Sequence, residues 1–273
     1  MILDGGRIRV DLRPVSSLLP HEDTIPEQLD KIATQIRRDG VQKDPLIVDG
    51  ESGAVLDGMH RLNAFMKLGL GNIVCCLVDY SSPGIELRRW ARVYKSPQRG
   101  MVSQALKELG VGRAVTTSEG FDMLDTRKCG LAAFGEEGCL VPGGPNSLTE
   151  AFRTVRSLDK LSKTLGWQRS FVREDDVDLS LQSEYNVVVL PQRLTKQDVL
   201  TAARTAALFP CKTSMHMIDP RPVALDFPIS ELNSATNKSL SALMEKRSPK
   251  TLPPDSLYEG RRYKERLLLL DPH

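Results

Sequence analysis

The sequence lacks any apolar run long enough to cross a lipid bilayer. A membrane-spanning helix needs about 20 consecutive apolar residues, whereas the apolar run near the C-terminus, Leu267 to Leu270, has the length of a strand. The first residues do not form an apolar targeting segment either, because Asp4 and Arg7 interrupt it. We therefore expect a cytoplasmic protein.

The five cysteines do not form a paired framework. Their number is odd, and no two of them have the CxxC spacing of a metal or redox motif. Cys75 and Cys76 are adjacent in an apolar segment, which favours buried thiols that pack as small hydrophobic side chains. Cys129 and Cys139 lie in a Gly-rich segment and form a ligand pair, a disulfide or, as is typical of a cytoplasmic protein, two ordinary thiols.

A strong excess of one charge is also absent. The chain has 37 Lys and Arg against 35 Asp and Glu, a formal net charge of +2, which by itself does not indicate a nucleic-acid partner. Its 273 residues are 40% hydrophobic and 26% charged. This composition is typical of a folded globular protein with one large domain or two ordinary ones.

Strands and helices alternate through the N-terminal third of the chain. Arg7 to Leu12 alternates polar and apolar residues, which predicts a strand. Thr24 opens a capping-box pattern and Gly40 follows the last apolar residue of one helix face, so a helix is predicted between them. The apolar run from Ile73 to Val78 predicts a buried strand. The alternation indicates a compact α/β unit of mixed type.

The segment from Leu46 to Gly69 is the centre of this region. Two short apolar runs joined by a Gly-containing turn predict a β-hairpin, which leads through Asp57-Gly58-Met59-His60-Arg61 into a helix. The unpaired N–H groups and the positive dipole end of a helix N-terminus bind anions well. His60 and Arg61 lie in the first turn, where cations oppose the dipole unless an anion is also present. Gly58, His60 and Arg61 therefore form a candidate phosphate site.

The pattern changes from Ser96 onward. The Gly-rich region from Gly110 to Asn146 gives weak secondary-structure signals and suggests an ordered loop region or a lid, and its Gly143-Gly144-Pro145 sequence is too short a pattern to indicate a phosphate loop. The elements predicted by periodicity and end signals are helices over Met101–Leu109, Leu148–Leu165 and Thr195–Phe209, and strands over Tyr185–Leu190 and Leu267–Leu270.

The order of these motifs resembles the ParB/sulfiredoxin superfamily. The residues that carry the resemblance are Pro20-His21-Glu22, the helix that ends at Gly40, Pro45 to Val48, Asp57 to Arg61, and Leu68-Gly69. In that superfamily the corner before the helix holds nucleotide phosphates. The resemblance implies a nucleotide-binding domain over residues 1–95 and a second α/β domain over residues 96–273, which would complete an active-site cleft between them.

Segments further along the chain look like the archaeal free L-serine kinases. They are Leu194 to Val199, Phe209-Pro210, Lys212 to His216, and Leu252 through Tyr263. Those enzymes phosphorylate free serine with a nucleotide, commonly ADP, and the O-phosphoserine serves cysteine synthesis. The resemblance implies the same reaction here, with ADP or ATP as donor, Mg²⁺ as cofactor and small molecules as partners. Because no apolar run could span a bilayer and the net charge is small, a membrane partner is not expected and nucleic acid is an unlikely one.

Two positions depart from the family pattern. Met59 stands where the family usually has the first of two histidines, and Met215 stands where it usually has an arginine. A thioether does not bind an oxyanion usefully. Each change therefore removes one phosphate-facing donor.

The resemblance gives Glu22 and Asp57 catalytic roles, and each has an alternative. Glu22 matches the catalytic carboxylate, which would accept the hydroxyl proton of the substrate; the alternative is a solvated acid before a helix. Asp57 would hold Mg²⁺ or orient the serine hydroxyl; the alternative is a helix N-cap.

A second set of candidates lies outside the corner. Lys212, Thr213, Ser214 and His216 would form a second phosphate clamp, although a polar surface loop has the same composition. Trp90 matches a tryptophan near the serine site of the family, whereas a lone tryptophan is more often part of a core.

Two other functions compete with the kinase. A DNA-associated protein of ParB type would carry a basic recognition helix, which is not visible in the sequence. Sulfiredoxin chemistry needs a reactive cysteine close to the corner, where this chain has Met59. A nucleotide-binding regulator without kinase activity stays open as the alternative.

Overall fold

The computed structural model describes residues 2–136, 138–144, 147–177 and 186–271. Its helices in chain order are α1 (Pro26–Asp39), α2 (Met59–Lys67), α3 (Met101–Glu108), α4 (Thr117–Asp125), α5 (Leu148–Thr164), α6 (Lys196–Thr205) and α7 (Asn237–Met244). Its strands are β1 (Ile2–Leu3), β2 (Ile8–Pro14), β3 (Val41–Gln42), β4 (Leu46–Asp49), β5 (Val55–Asp57), β6 (Asn72–Val78), β7 (Ile85–Lys95), β8 (Val111–Val115), β9 (Leu131–Gly135), β10 (Gly138–Pro142), β11 (Gln168–Arg173), β12 (Asn186–Pro191), β13 (Ser214–Ile218), β14 (Arg221–Val223), β15 (Phe227–Pro228), β16 (Lys250–Leu252), β17 (Leu257–Tyr258), β18 (Arg261–Arg262) and β19 (Leu267–Leu269).

The chain divides into two compact units. The first contains Met1–Glu86, Lys196–Cys211 and His216–His273, and the second contains Leu87–Thr195 and Lys212–Met215. The sequence suggests two consecutive domains, divided after residue 95. The observed units are not consecutive, because the C-terminal part of the chain returns to the first unit.

A mixed five-stranded sheet forms the centre of the first unit. Its strand order is β1-β2-β6-β4-β5, with β4 and β6 parallel and the other neighbours antiparallel. All of β4 and nearly all of β6 are buried, as expected for apolar parallel strands covered on both faces. Helices α1 and α2 pack against each other.

The predicted hairpin is present, and it leads directly into the predicted corner. Asp49 stabilises the turn, since its Oδ2 accepts hydrogen bonds from the N–H (3.0 Å) and the hydroxyl (2.5 Å) of Ser52. Its Oδ1 accepts another from the N–H of Tyr80 at 3.2 Å. Strand β5 ends at Asp57, so Gly58 alone connects it to α2.

The beginning of α1 differs from the prediction. The capping box at Thr24 is wrong, because the N-cap is Ile25 and it makes no side-chain capping bond. Instead, the N–H of Ile25 donates to Nε2 of His60 at 2.9 Å. At the other end, Gly40 has φ 69° and ends the helix as predicted.

The second unit is built around an antiparallel sheet. Its order is β11-β7-β12-β9-β10-β8, with β13 also paired to β7. Val187 and Val189 of β12 belong to one core cluster and Val188 and Leu190 to another, as the alternation along a strand requires. The first cluster includes side chains of α3 and α5 and the second a side chain of α4, so helices cover both faces of the sheet.

In its described residues, 110–136 and 138–144, the Gly-rich region is not the loop or lid that its glycines suggest. It contains β8, α4, β9 and β10, and Thr116 with Glu119 forms a capping box at the start of α4. Gly120 lies inside α4, where a Cβ atom would be 2.4 Å from Sγ of Cys139. Gly120 therefore allows α4 to pack closely on β10, and it does not serve to make the backbone flexible.

The other predicted elements agree with the structure, apart from their bounds. The helix that begins near Thr195 ends at Thr205 rather than at Phe209, and Pro145 and Tyr185 lie outside the described residues. In the described part of the chain, no helix combines the length and the apolar character needed to cross a membrane.

The cysteines are free and buried, so the disulfide between Cys129 and Cys139 is not formed. Burial raises the pKa of Cys75 and the pKa of Cys139 to about 12, and it raises the pKa of Cys76 as well. Among the residues that the structure describes, no group of three or more His, Cys, Asp or Glu is arranged to hold a metal. The thiols are packing groups, as predicted for Cys75 and Cys76.

The tight contact at Gly120 gives a test of the packing in the second unit. We expect Gly120→Ala to lower the free energy of unfolding by about 1–2 kcal/mol, because the overpacking cost of roughly 1–3 kcal/mol exceeds the gain of about 1 kcal/mol in helix propensity. Urea unfolding measures the change. Gly143→Ala, at an exposed position with no neighbour within 4 Å of the added atom, is the control. An unchanged midpoint for Gly120→Ala would contradict the packing, and Cys139→Ala should restore part of the loss.

Candidate active site

The corner between β5 and α2 requires glycine at position 58. Gly58 has φ 102° and ψ 25°, a left-handed conformation that side chains rarely adopt. A Cβ atom there would lie 2.4 Å from Cδ2 of Leu46 and 3.4 Å from Nη1 of Arg61. Both the backbone conformation and the available space therefore exclude a larger residue at the place where the helix begins.

Asp57 faces two guanidinium groups. It is the last residue of β5, and the N-cap of α2 is Gly58 without a side-chain capping bond, so the alternative interpretation of Asp57 as the cap is wrong. Its Oδ2 lies 3.7 Å from Nη2 of Arg61 and 3.5 Å from Nη1 of Arg221. The carboxylate is 43% exposed.

Arg61 is held by oxygen atoms of the protein. Its Nη1 donates to the carbonyl of Asp44 at 3.1 Å and to the carbonyl of Pro45. Together with Asp57, these oxygens offset the positive charge that Arg61 brings to the first turn of α2. An anionic ligand is therefore not needed to explain this cation, contrary to the expectation from sequence. Contact between Arg61 and a phosphate stays a prediction.

His60 joins the corner to the segment that carries Glu22. Its Nε2 accepts the N–H of Ile25, so this nitrogen carries no proton and the proton of the neutral ring is on Nδ1. The bond fixes the N-terminus of α1 relative to α2. His60 thus positions the chain three residues after Glu22, in addition to its predicted place at the phosphate site.

Glu22 lies in an extended, hydrogen-bonded segment. The N–H of Phe209 donates to the carbonyl of His21 at 2.9 Å, and the N–H of Asp23 donates to the carbonyl of Phe209 at 2.8 Å, which makes a parallel bridge between Glu22 and Phe209. Glu22 is only 8% exposed. The alternative of a solvated loop acid is therefore wrong.

Three buried side chains form a cluster beside this segment. Nε2 of His216 lies 2.8 Å from the hydroxyl oxygen of Tyr80, and the rings of His21 and His216 meet edge to face at 5.5 Å. His21 Nδ1 donates to the carbonyl of Val55 at 2.9 Å, and Nε2 of the same ring is 3.8 Å from Oε1 of Glu22. The cluster thus reaches from the hairpin to the candidate base.

All three members of the cluster are neutral at neutral pH. Burial lowers the pKa of His21, although the Glu22 carboxylate acts in the opposite direction. Burial and then His21 lower the pKa of His216 well below its ordinary value, and burial raises the pKa of Tyr80. His216 is predicted to bind phosphate, but a buried neutral ring bonded to Tyr80 is better suited to positioning its neighbours.

The remaining predicted residues lie in the second unit. Nζ of Lys212 lies 4.7 Å from the centroid of the Trp90 ring, within the range of a cation–π interaction. Trp90 is only partly buried and Thr213 is buried. The core interpretation of Trp90 and the surface-loop interpretation of Thr213 are therefore wrong. Ser214 is partly buried at the start of β13.

The predicted second clamp is divided between the units. Lys212 to Ser214 belong to the second unit, whereas His216 belongs to the first. Met215, between them, is buried, and so is Met59 at the first position of α2. Neither methionine takes over the role of the basic residue that the family pattern has there.

Arg221 is not among the residues predicted from the sequence. Its side chain is 6% exposed, its Nε is 2.5 Å from Oε1 of Glu265, and its Nη2 donates to the carbonyl of His216 at 2.6 Å. Asp57, Glu265 and Arg221 are far apart along the chain, so no local spacing connects them. The sequence feature that could have indicated Arg221 is its place at the start of β14, a strand whose other residues are apolar.

Comparisons with known proteins cover most of the chain, although no family model matches it. The chain is 22% identical over 224 residues to an ADP-dependent L-serine kinase of Thermococcus kodakarensis, covering 80% of this chain and 90% of that protein. It is 24% identical over 232 residues to an ATP-dependent L-serine kinase of Staphylothermus marinus, covering 80% and 89%. A ParB-like protein of Sulfolobus acidocaldarius is 40% identical over 76 residues, which are 28% of this chain and 38% of that protein.

The fold is similar to that of a free serine kinase variant solved in complex with AMP. The match has a TM-score of 0.70 at 22% identity and covers 83% of this chain and 94% of the other. It confirms the mixed α/β fold predicted from the sequence. The chain therefore has the fold of the free serine kinases and resembles L-serine kinases along four fifths of its length.

Proposed function

We propose that the protein is a kinase that transfers a phosphoryl group from ADP or ATP to the hydroxyl of free L-serine, giving O-phospho-L-serine. The observation that carries this proposal is the extent of the similarity. Kinases named ADP-dependent and ATP-dependent each match 80% of the chain, whereas the ParB-like match covers 28%. Similarity along both units favours the kinase over a protein that shares only the ParB-like part.

The phosphates of the donor would bind at the N-terminus of α2. The first N–H groups of that helix have no partner within the helix, and its dipole favours an anion. Gly58 lets the backbone approach closely, since no side chain stands at the corner. With Met59 in place of a basic residue, the main chain and His60 would provide more of the binding than in a corner with two histidines.

Glu22 would accept the proton of the serine hydroxyl. A base must be ionised and fixed within reach of the proton that it removes. The bridge to Phe209 fixes its backbone, and the neighbouring His21 ring is neutral, so it does not hold the carboxylate in an ion pair. Both features support the role of Glu22 as the base.

Asp57 would hold Mg²⁺ together with phosphate oxygens. Magnesium in nucleotide sites commonly uses one or two carboxylates and completes its shell with phosphate oxygens and water. One partly exposed carboxylate, 43% accessible, fits an ion that arrives with the nucleotide. When bound, the ion would neutralise phosphate charge, and the contribution of the chain is to hold Asp57 between Arg61 and Arg221.

Trp90 and Lys212 of the second unit would contribute to substrate binding. The ammonium group of Lys212 lies over the Trp90 ring, an arrangement that limits its motion. Lys212 could pair with a carboxylate or phosphate, and the hydroxyls of Thr213 and Ser214 could donate to phosphate oxygens. We further propose that the product serves cysteine synthesis in the cytoplasm.

Phosphorus NMR on the purified protein with Mg²⁺, L-serine and either ADP or ATP tests the proposal. We expect a phosphomonoester signal that grows together with AMP or ADP and so identifies the donor.

Glu22→Gln should lower kcat by about 10²–10⁴-fold, because the general base is lost. Glu51→Gln, an exposed acid at the hairpin turn, is the matched control. Turnover by Glu22→Gln within threefold of wild type would exclude this base. Nucleotide binding without phosphoserine from the wild type would favour the regulatory alternative.

The neutral histidines predict a pH-dependent stability. Since the folded pKa values of His21 and His216 are lowered, the unfolded chain binds more protons between those values and about pH 6.5. We expect the free energy of unfolding to fall as pH decreases through that window, with a slope of up to about 1.4 kcal/mol per pH unit for each histidine. Denaturant unfolding from about pH 8 to pH 5 measures the slope. His216→Gln should flatten it, and equal slopes for variant and wild type would contradict the neutral cluster.

A further inference from the structure

The side chain of Arg221 is fixed in three directions. Its Nε lies 2.5 Å from Oε1 of Glu265, its Nη2 donates to the carbonyl of His216 at 2.6 Å, and its Nη1 lies 3.5 Å from Oδ2 of Asp57. A planar guanidinium bound through all three nitrogens cannot rotate without breaking at least one contact. The position of Nη1 beside Asp57 is therefore determined by the other two contacts.

Arg221 opens β14, and Glu265 lies in the short segment that leads into the neighbouring strand β19. The N–H of Arg221 donates to the carbonyl of Arg266 at 2.8 Å, and Arg221 lies opposite Leu267 in the parallel pairing of β14 and β19. Glu265 comes two residues before this register position. Arg221 therefore has the fixed backbone of a paired strand, and its backbone bond to Arg266 ties it to the residue that follows Glu265.

The described ion pairs around Asp57 join two arginines and two carboxylates. Arg61 and Arg221 bring two positive charges, and Asp57 and Glu265 bring two negative charges. Glu265 is 3% exposed, and a buried carboxylate of this kind needs a partner. Burial by itself would lower the pKa of Arg221, but Asp57 and Glu265 raise it above its ordinary value. Without Glu265, two cations would face the single carboxylate of Asp57.

Asp57 is the most exposed member of this group. Its side chain is 43% exposed, compared with 20% for Arg61, 6% for Arg221 and 3% for Glu265. Both guanidinium groups approach the same oxygen, Oδ2. The buried members therefore hold the carboxylate from one side and leave it accessible.

We propose that Arg221, with Glu265 as its counter-charge, is a positioning residue that fixes the carboxylate of Asp57 for phosphoryl transfer. This inference rests on the proposed kinase function. It assigns a role to two residues of the C-terminal part of the chain that would act on the reaction through Asp57. Misplacement of a catalytic group reduces the rate of the chemical step more than the binding of substrate.

Arg221→Lys tests the proposal, because it keeps the charge and loses the planar fork. We expect kcat for serine phosphorylation to fall at least about tenfold while the KM values for nucleotide and serine stay within about threefold. In an Asp57→Asn background, measured under single-turnover conditions, Arg221→Lys should change the rate less than twofold, since the group that it positions is already lost. Arg266→Lys is the matched control, because Arg266 is a partly buried arginine that pairs with Asp219 instead of Asp57.

Glu265→Gln is the second variant and keeps the shape of the Glu265 side chain. It tests the proposal if Arg221→Lys fails to fold. We expect a fall in kcat of at least about threefold that disappears in the Asp57→Asn background, with circular dichroism and thermal melting as checks of the fold. An unchanged kcat in a folded variant would overturn the positioning role. A loss in the Asp57→Asn background as large as that in the wild-type background would overturn it as well. Unfolding of both variants would assign the pair to stability alone and overturn it too. Absence of turnover in the wild type would reject the kinase proposal, and this role with it.

Discussion

The ion pairs of Asp57 connect parts of the first unit that are distant in sequence. Arg61 reaches the carboxylate from the helix that follows it, and Arg221 reaches it from a strand near the C-terminus. Because a buried charge is costly without a partner, Arg221 and Glu265 must be present together. These two arginines and two carboxylates hold the accessible carboxylate of Asp57 in the candidate site.

A neutral cluster lies next to this charged group, and His216 belongs to both. Its carbonyl accepts a hydrogen bond from Arg221, and its ring contacts Tyr80 and His21. Burial keeps the rings of His21 and His216 uncharged, so no positive charge is added beside Glu22. The two carboxylates that the proposed chemistry needs therefore have different surroundings. Asp57 pairs with two arginines, whereas Glu22 lies beside an uncharged histidine ring.

The family resemblance and the geometry support the proposed reaction in different ways. The resemblance implies the roles proposed for Glu22 and Asp57, whereas the structure shows a fixed backbone at Glu22 and a held carboxylate at Asp57. With Met59 and Met215 in place of two basic residues, the proposed phosphate binding at the corner would depend on the N-terminus of α2 and on His60. A kinase with this corner would rely strongly on main-chain N–H groups.

The sequence by itself determined the elements whose patterns are local, such as the strand–glycine–helix corner, the end of α1 at Gly40 and the buried run of β6. It did not determine the role of Gly120, which is explained by the sulfur of Cys139 and not by flexibility. It also did not show that His60 would replace a cap at Thr24 or that Arg221 would meet Asp57. Only the tertiary structure decided these contacts and the neutral state of the histidines, because burial and charge pairing depend on residues that are far apart along the chain.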